Sequence, residues 1–127
     1  MKKDFEILDE FGQIVITQIL DRHHKGFKNE IFEGFRNPNN KKYNVLFSKL
    51  SNSEKELMIK YLIQNSSSQL FDFLSIFEEN EQFKIVYEEG GKQVNLVEVS
   101  EMLKAEPLGE DGWVARFSKE LKADDIP

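Results

Sequence analysis

The chain has no cysteine, only three prolines and a single tryptophan in 127 residues. Without cysteine there is no disulfide framework, no thiolate metal site and no cysteine nucleophile, and nothing points to an oxidising compartment. Few prolines and seven glycines argue against low complexity or extended disorder. Long apolar runs are also missing. No stretch approaches the roughly 20 apolar residues of a membrane span, and Met1-Lys2-Lys3-Asp4 opens a segment that mixes charge with apolar residues, unlike a signal peptide. The expectation is a cytoplasmic protein with no export signal and no membrane contact.

What is present favours a packed interior. Apolar residues make up 39% of the chain, with 11 phenylalanines, and a length of 127 residues suits one compact domain spanning 1–127. The net charge of −6 is unevenly spread. Residues 1–65 carry 11 Lys and Arg against 9 Asp and Glu, whereas residues 66–127 carry 6 against 14. A field of that sign attracts basic partners and repels phosphate backbones and anionic lipid, so a protein ligand is expected rather than a nucleic acid.

The pattern along the chain reads α+β, with N-terminal helices packed on a small C-terminal antiparallel sheet. Phe5, Leu8, Phe11, Val15 and Ile19 recur at helical spacing, widened by Ile7, Ile14, Ile16 and Leu20. Gly12 within this stripe marks a close approach by another element. Phe27, Ile31, Phe32 and Phe35 either continue this helix past Gly26 or begin a second one. Residues 36–42 form a polar loop around Pro38, the best place for mobility, and Val45-Leu46-Phe47 a short helical turn. Ser51 with Glu54 and Ser53 with Glu56 both fit a capping box, which sets a helix start near Ser53. Its expected buried face is Leu57, Met58, Tyr61 and Leu62, and it should stop near Asn65, where Ser66 to Ser68 offer a second cap for a helix carrying Leu70, Phe73, Leu74 and Phe77. Beyond Glu81 the period becomes two. Phe83, Ile85 and Tyr87, then Gly90-Gly91, then Val94 and Leu96 read as a hairpin whose second strand carries a bulge or ends at Leu96-Val97. An isolated hairpin is marginal, and Trp113 to Phe117 alternates in a way that supplies a third strand. The tail after about residue 120 is expected to fray.

Chemistry is sparse. His23 and His24 are the only histidines, point about 100° apart on a helix, and read as a helix end rather than a metal pair. No serine triad pattern is present. The acidic pairs Glu78-Glu79, Glu88-Glu89, Glu110-Asp111 and Asp124-Asp125 read as solvated turns, because glycosidase-type chemistry needs two carboxyls opposed across a cleft. No metal and no cofactor is called for. The stretch with binding logic is Glu106 to Phe117, where Trp113 and Arg116 follow an acidic loop; Trp113 is either a core residue or an interface anchor.

The arrangement Leu70-Phe71-Asp72-Phe73-Leu74, Phe77-Glu78-Glu79-Asn80, Val94-Asn95-Leu96 and above all Gly109 to Lys119 resembles small, mostly uncharacterised bacterial proteins of the immunity type from polymorphic toxin systems. That resemblance implies a non-enzymatic antidote that docks on a cognate toxin. Glu88, Glu89, Glu110 and Asp111 would then supply the field toward a basic protein, with Trp113 and Arg116 as contacts. The alternative expectation is a general intracellular interaction or structural module, homodimeric through a Phe-rich helix, and an enzyme using carboxylates and a divalent ion ranks last.

Overall fold

The computed structural model describes residues 2–126. Met1 and Pro127, the two ends of the expected domain, lie outside the described residues. The fold is α+β, mostly helical, with one two-stranded antiparallel sheet. No helix among the described residues is long and apolar enough to cross a membrane.

Residues 3–35 resolve into one helix rather than two. Asp4–Val15, a π-helical turn at Ile16–Asp21 and Arg22–Phe32 follow one another with helical backbone at both junctions, and we call the whole α1 (4–32). The π turn takes in extra backbone, which rotates everything downstream by about 100° relative to an unbroken α-helix. That rotation explains why the expected stripe fails halfway along. Ile7, Leu8, Val15 and Ile16 are buried as the period requires, but Ile19 is 40% exposed, and Leu20, fully buried, takes its place. Phe5 and Ile14 are exposed as well. Gly34, at φ 93°, ends the helix in the left-handed conformation that favours glycine.

A short helix α2 (Lys42–Ser48) follows the 3-10 turn Pro38–Asn40. Asn44 ties it to the end of α1, accepting from the Phe35 N–H at 2.7 Å and donating to the Phe35 carbonyl at 3.1 Å. The next helix, α3 (Asn52–Glu79), starts from the capping box of Ser51 and Glu54, the first of the two expected, and does not break at Asn65. Ser66 Oγ donates back to the Leu62 carbonyl at 3.1 Å, and Gln69 donates to Asn65 one turn earlier, so these polar side chains stay within the helix instead of capping a new one. The buried face is Ile59, Ile63, Ser67, Leu70 and Leu74, at spacings of three and four. Leu57 and Tyr61, expected inside, are 69% and 65% exposed on the opposite side.

The hairpin pairs β1 (Val86–Glu89) with β2 (Lys92–Asn95) around Gly90 and Gly91, both at positive φ. β2 ends at Leu96, where Asn95 Oδ1 accepts from the Val97 N–H at 3.1 Å and starts the one-turn helix α4 (Leu96–Val99). Trp113–Phe117 is not a third strand. It is a short helix, α5, begun at Gly112, where a Cβ would lie 2.1 Å from the Leu108 carbonyl oxygen. The hairpin instead finds its support through Ile85, Tyr87 and Val94, which pack on the helical core.

Trp113 is fully buried, and its indole lies on α1 at Gly12, edge-on to Phe11 with ring centroids 5.8 Å apart. A Cβ at Gly12 would sit 2.5 Å from the indole, which is the close approach the glycine marks. The chain end is packed as well. Leu121 and Ile126 are buried in the same core, and Asp21, itself buried, accepts from Ser118 Oγ at 2.5 Å and the Lys119 N–H at 3.0 Å. Leu121 and Ile126 thus place part of the expected tail in the core.

Two substitutions on one helix should move stability in opposite directions. Gly12→Ala forces the indole to shift and should cost about 1–3 kcal/mol. Gly26→Ala has open space, its nearest atom being Glu30 Oε1 at 4.0 Å, and should add roughly 0.5–1 kcal/mol through helix propensity. Urea melts of both would check the pair. Asp21→Ala removes the acceptor of two donors and should cost about 1–3 kcal/mol, with faster proteolysis of the segment after Phe117 as the companion readout.

Candidate partner-binding surface

The six residues expected to contact a partner fall into three settings. Glu88 and Glu89 sit beside the hairpin turn and, as neighbours in a strand, point to opposite faces. Glu88 accepts from Gln93 Nε2 at 3.0 Å, directly across the ladder. Glu89 accepts from the Tyr87 hydroxyl at 3.1 Å, and its carboxylate lies beside the Lys2 amide. Partial desolvation, then the Glu89 carboxylate, raise the Tyr87 phenol above the ordinary tyrosine range.

Glu110 and Asp111 are exposed in the loop before α5. Arg116 lies over this loop. Its Nε donates to the Asp111 carbonyl at 2.8 Å and its Nη1 reaches Asp9 Oδ1 at 2.9 Å, while the guanidinium stacks on Phe117 at 4.7 Å. Nearby, burial raises the half-buried Glu106 carboxyl above the usual range, an effect opposed by Arg116. Trp113 belongs to neither group. It is a core residue, so its role as a partner anchor is withdrawn.

The structure therefore brings Glu89 to the Lys2 amide just before α1 and Arg116 to Asp9 on its first turns, holds the Asp111 carbonyl on Arg116, and turns Glu88 away from Glu89. It also adds residues that the sequence reading passed over: Asp4, Glu6, Asp9 and Glu10, all on those turns. Lys2 pairs with Glu10, whose hydrogen bond raises the Lys2 amine above its ordinary value. The signal for this group was available as four carboxylates within the first ten residues. It was hidden by tallying charge along the chain instead of through space.

A second feature lies away from this surface. An open groove of about 420 Å³ runs between α1 and α3, with Ile59, Ile63 and Leu121 among its lining residues and His24, Lys28 and Lys60 alongside them. His23 and His24 lie within α1 just past the π turn, not at a helix end. His23 leans on Phe27, and His24 Nδ1 is buried without a hydrogen-bond partner. Burial, followed by the Lys28 ammonium, lowers the His24 value, while Glu120, Asp125 and Asp21 act the other way. Among the described residues no group of three or more His, Asp or Glu converges in a way that could hold a metal ion. No family model, no curated protein and no solved structure matches this chain.

The depressed His24 value has a testable sign. The folded protein binds this proton less readily than the unfolded chain, so the His24 contribution is constant above about pH 6.5 and turns unfavourable as pH falls from there through the lower folded-state value. His24→Gln should remove that slope. Melting temperatures of both proteins across this window, compared as a difference, would show it.

Proposed function

We propose that this chain is a non-enzymatic protein-binding module of the immunity type, acting in the cytoplasm, which docks a basic partner protein on the acidic end of α1 and blocks it by occlusion. One observation carries the reading. The hairpin carboxylate Glu89 lies beside the Lys2 amide at the start of α1, and Arg116, paired with Asp9 on the first turns of that helix, holds the Asp111 carbonyl of the loop that also carries Glu110, while Asp4, Glu6 and Glu10 lie on the same turns and Lys2 pairs with Glu10. Exposed carboxylates gathered at one end of a domain concentrate field lines there and speed encounter with a cation-rich surface. Arg116 fixes the loop that presents two of them, so its part is positioning, and Glu88 lies on the far face of the ribbon.

A second reading, a general interaction or structural module, draws on a different observation. Leu57 and Tyr61 lie side by side on the outer face of α3, exposed and one turn apart. Such a face suits an apolar contact rather than an electrostatic one.

The two readings separate on salt. If the acidic end steers a basic partner, association with the purified product of the adjacent gene should slow as the Debye length shrinks from about 10 Å at 0.1 M to about 3 Å at 1 M salt. Glu110→Lys with Asp111→Lys should slow it about tenfold or more at low salt and little at high salt. Glu88→Lys should act more weakly. Stopped-flow rates that are indifferent to salt and to the double substitution would rule out the acidic end and leave the Leu57 and Tyr61 face.

A further inference from the structure

The end of the molecule opposite the acidic turns carries the reverse chemistry. Residues 34–53 contain four Lys and Arg and no Asp or Glu, in a chain whose net charge is −6. Over residues 22–60 the count is nine cations against four carboxylates, so the remaining residues hold a net of −11. Helix α2 sits in this segment and buries none of its residues. Its inner side is taken by Asn44, bonded to Phe35, and by Phe47, whose ring packs 6.2 Å from that of Phe35. Its outer side is a stripe at helical spacing: Lys42, Val45, Leu46 and Lys49. Val45 and Leu46 are 62% and 55% exposed, and neither lysine forms an ion pair among the described residues.

An apolar pair flanked by two cations has the anatomy of a small apolar centre with a charged rim. The matching face is on the same chain. In the first turn of α1, exposed Phe5 stands between Asp4 and Glu6, whereas Asp9, one turn on, is already paired with Arg116. We propose that the Lys42, Val45, Leu46 and Lys49 face of one copy docks on the Phe5, Asp4 and Glu6 face of a second copy. The two faces belong to opposite ends of α1, whose 29 residues span about 43 Å at 1.5 Å per residue, so one molecule does not close the contact on itself. The association is heterologous, head to tail, and therefore grows into open chains unless a rotation closes a ring. It goes beyond the proposed function and does not require the external partner, although a basic partner on the acidic end would compete with it.

The test is sedimentation of the whole chain at low ionic strength over a concentration series. Wild type should gain mass with concentration and lose that gain in high salt. Leu46→Glu and Phe5→Lys each replace an exposed residue, keep the fold, and should each remain monomeric. Mixing the two should restore association, because each supplies the face that the other lacks. A wild-type monomer at every concentration overturns the proposal, even if the basic end retains an acidic peptide or anionic vesicles. So does self-association that neither substitution weakens, or that mixing fails to restore. Partner binding is read separately with Glu110→Lys and Asp111→Lys, so either idea can fail while the other stands.

Discussion

The Trp113 indole resting on the bare backbone of α1 at Gly12 organises the second half of this protein. After Glu79 the chain has little regular structure of its own: two four-residue strands and a series of short helical turns. Burying a tryptophan removes about 150–250 Å² from water, worth roughly 4–6 kcal/mol at 25 cal/mol per Å². The indole N–H is buried without a partner, which costs about 1–3 kcal/mol, so the apolar gain wins. Two glycines make the seat possible. Gly12 leaves room for the ring, and Gly112 lets the preceding loop close under its own Leu108 carbonyl so that the Trp113 N–H reaches the Glu106 carbonyl at 2.9 Å. The loop bearing Glu110 and Asp111 is held between those two constraints, and the acidic surface inherits its position from them.

The π turn at Ile16–Asp21 is the second organising element. By rotating the later part of α1 it places Leu20 in the core and aims Asp21 at Ser118 and Lys119. Ser118 Oγ in turn accepts from the Glu120 and Leu121 N–H groups, at 3.1 and 2.7 Å. A buried carboxylate with two donors is tolerated because its lone pairs are satisfied. The same turn separates an acidic stretch of α1 from a basic one. Charge is therefore polarised along α1, acidic at its start and basic in the segment that follows it past Gly34.

Much of the architecture is legible from local chemistry. The buried α1 positions Ile7, Leu8, Val15 and Ile16, the Gly12 contact, the Ser51 and Glu54 cap, the double-glycine hairpin and the end of β2 all follow from spacing or from backbone preference within a few residues, whereas Phe5 and Ile14 of the same stripe are exposed. The misreadings share a cause. Ser66 to Ser68 read as a cap because serine favours caps, but in α3 the neighbouring turns offer carbonyls that Ser66 bonds instead. Trp113 to Phe117 alternates like a strand, yet no partner strand stands beside it and Gly112 starts a helix there. Leu57 and Tyr61 have helical spacing but sit half a turn from the face that α1 covers. Of the candidate surface, the acidic pairs were visible and their grouping was not, since Glu88 and Glu89 diverge while Asp9 and Asp111, a hundred residues apart, meet through Arg116.

The sequence by itself determined the class of the fold, the Ser51 cap that starts α3, the double-glycine turn of the hairpin, and the excess of carboxylates. These are set by interactions within a turn or two of chain, where spacing and side-chain type decide. Only the tertiary structure decided which apolar face is inside, where Trp113 goes, and that Asp9 at the start of the chain meets Arg116 near its end. Such outcomes depend on which surfaces meet across long separations, and one extra residue in the π turn is enough to change which side of α1 the rest of the molecule sees.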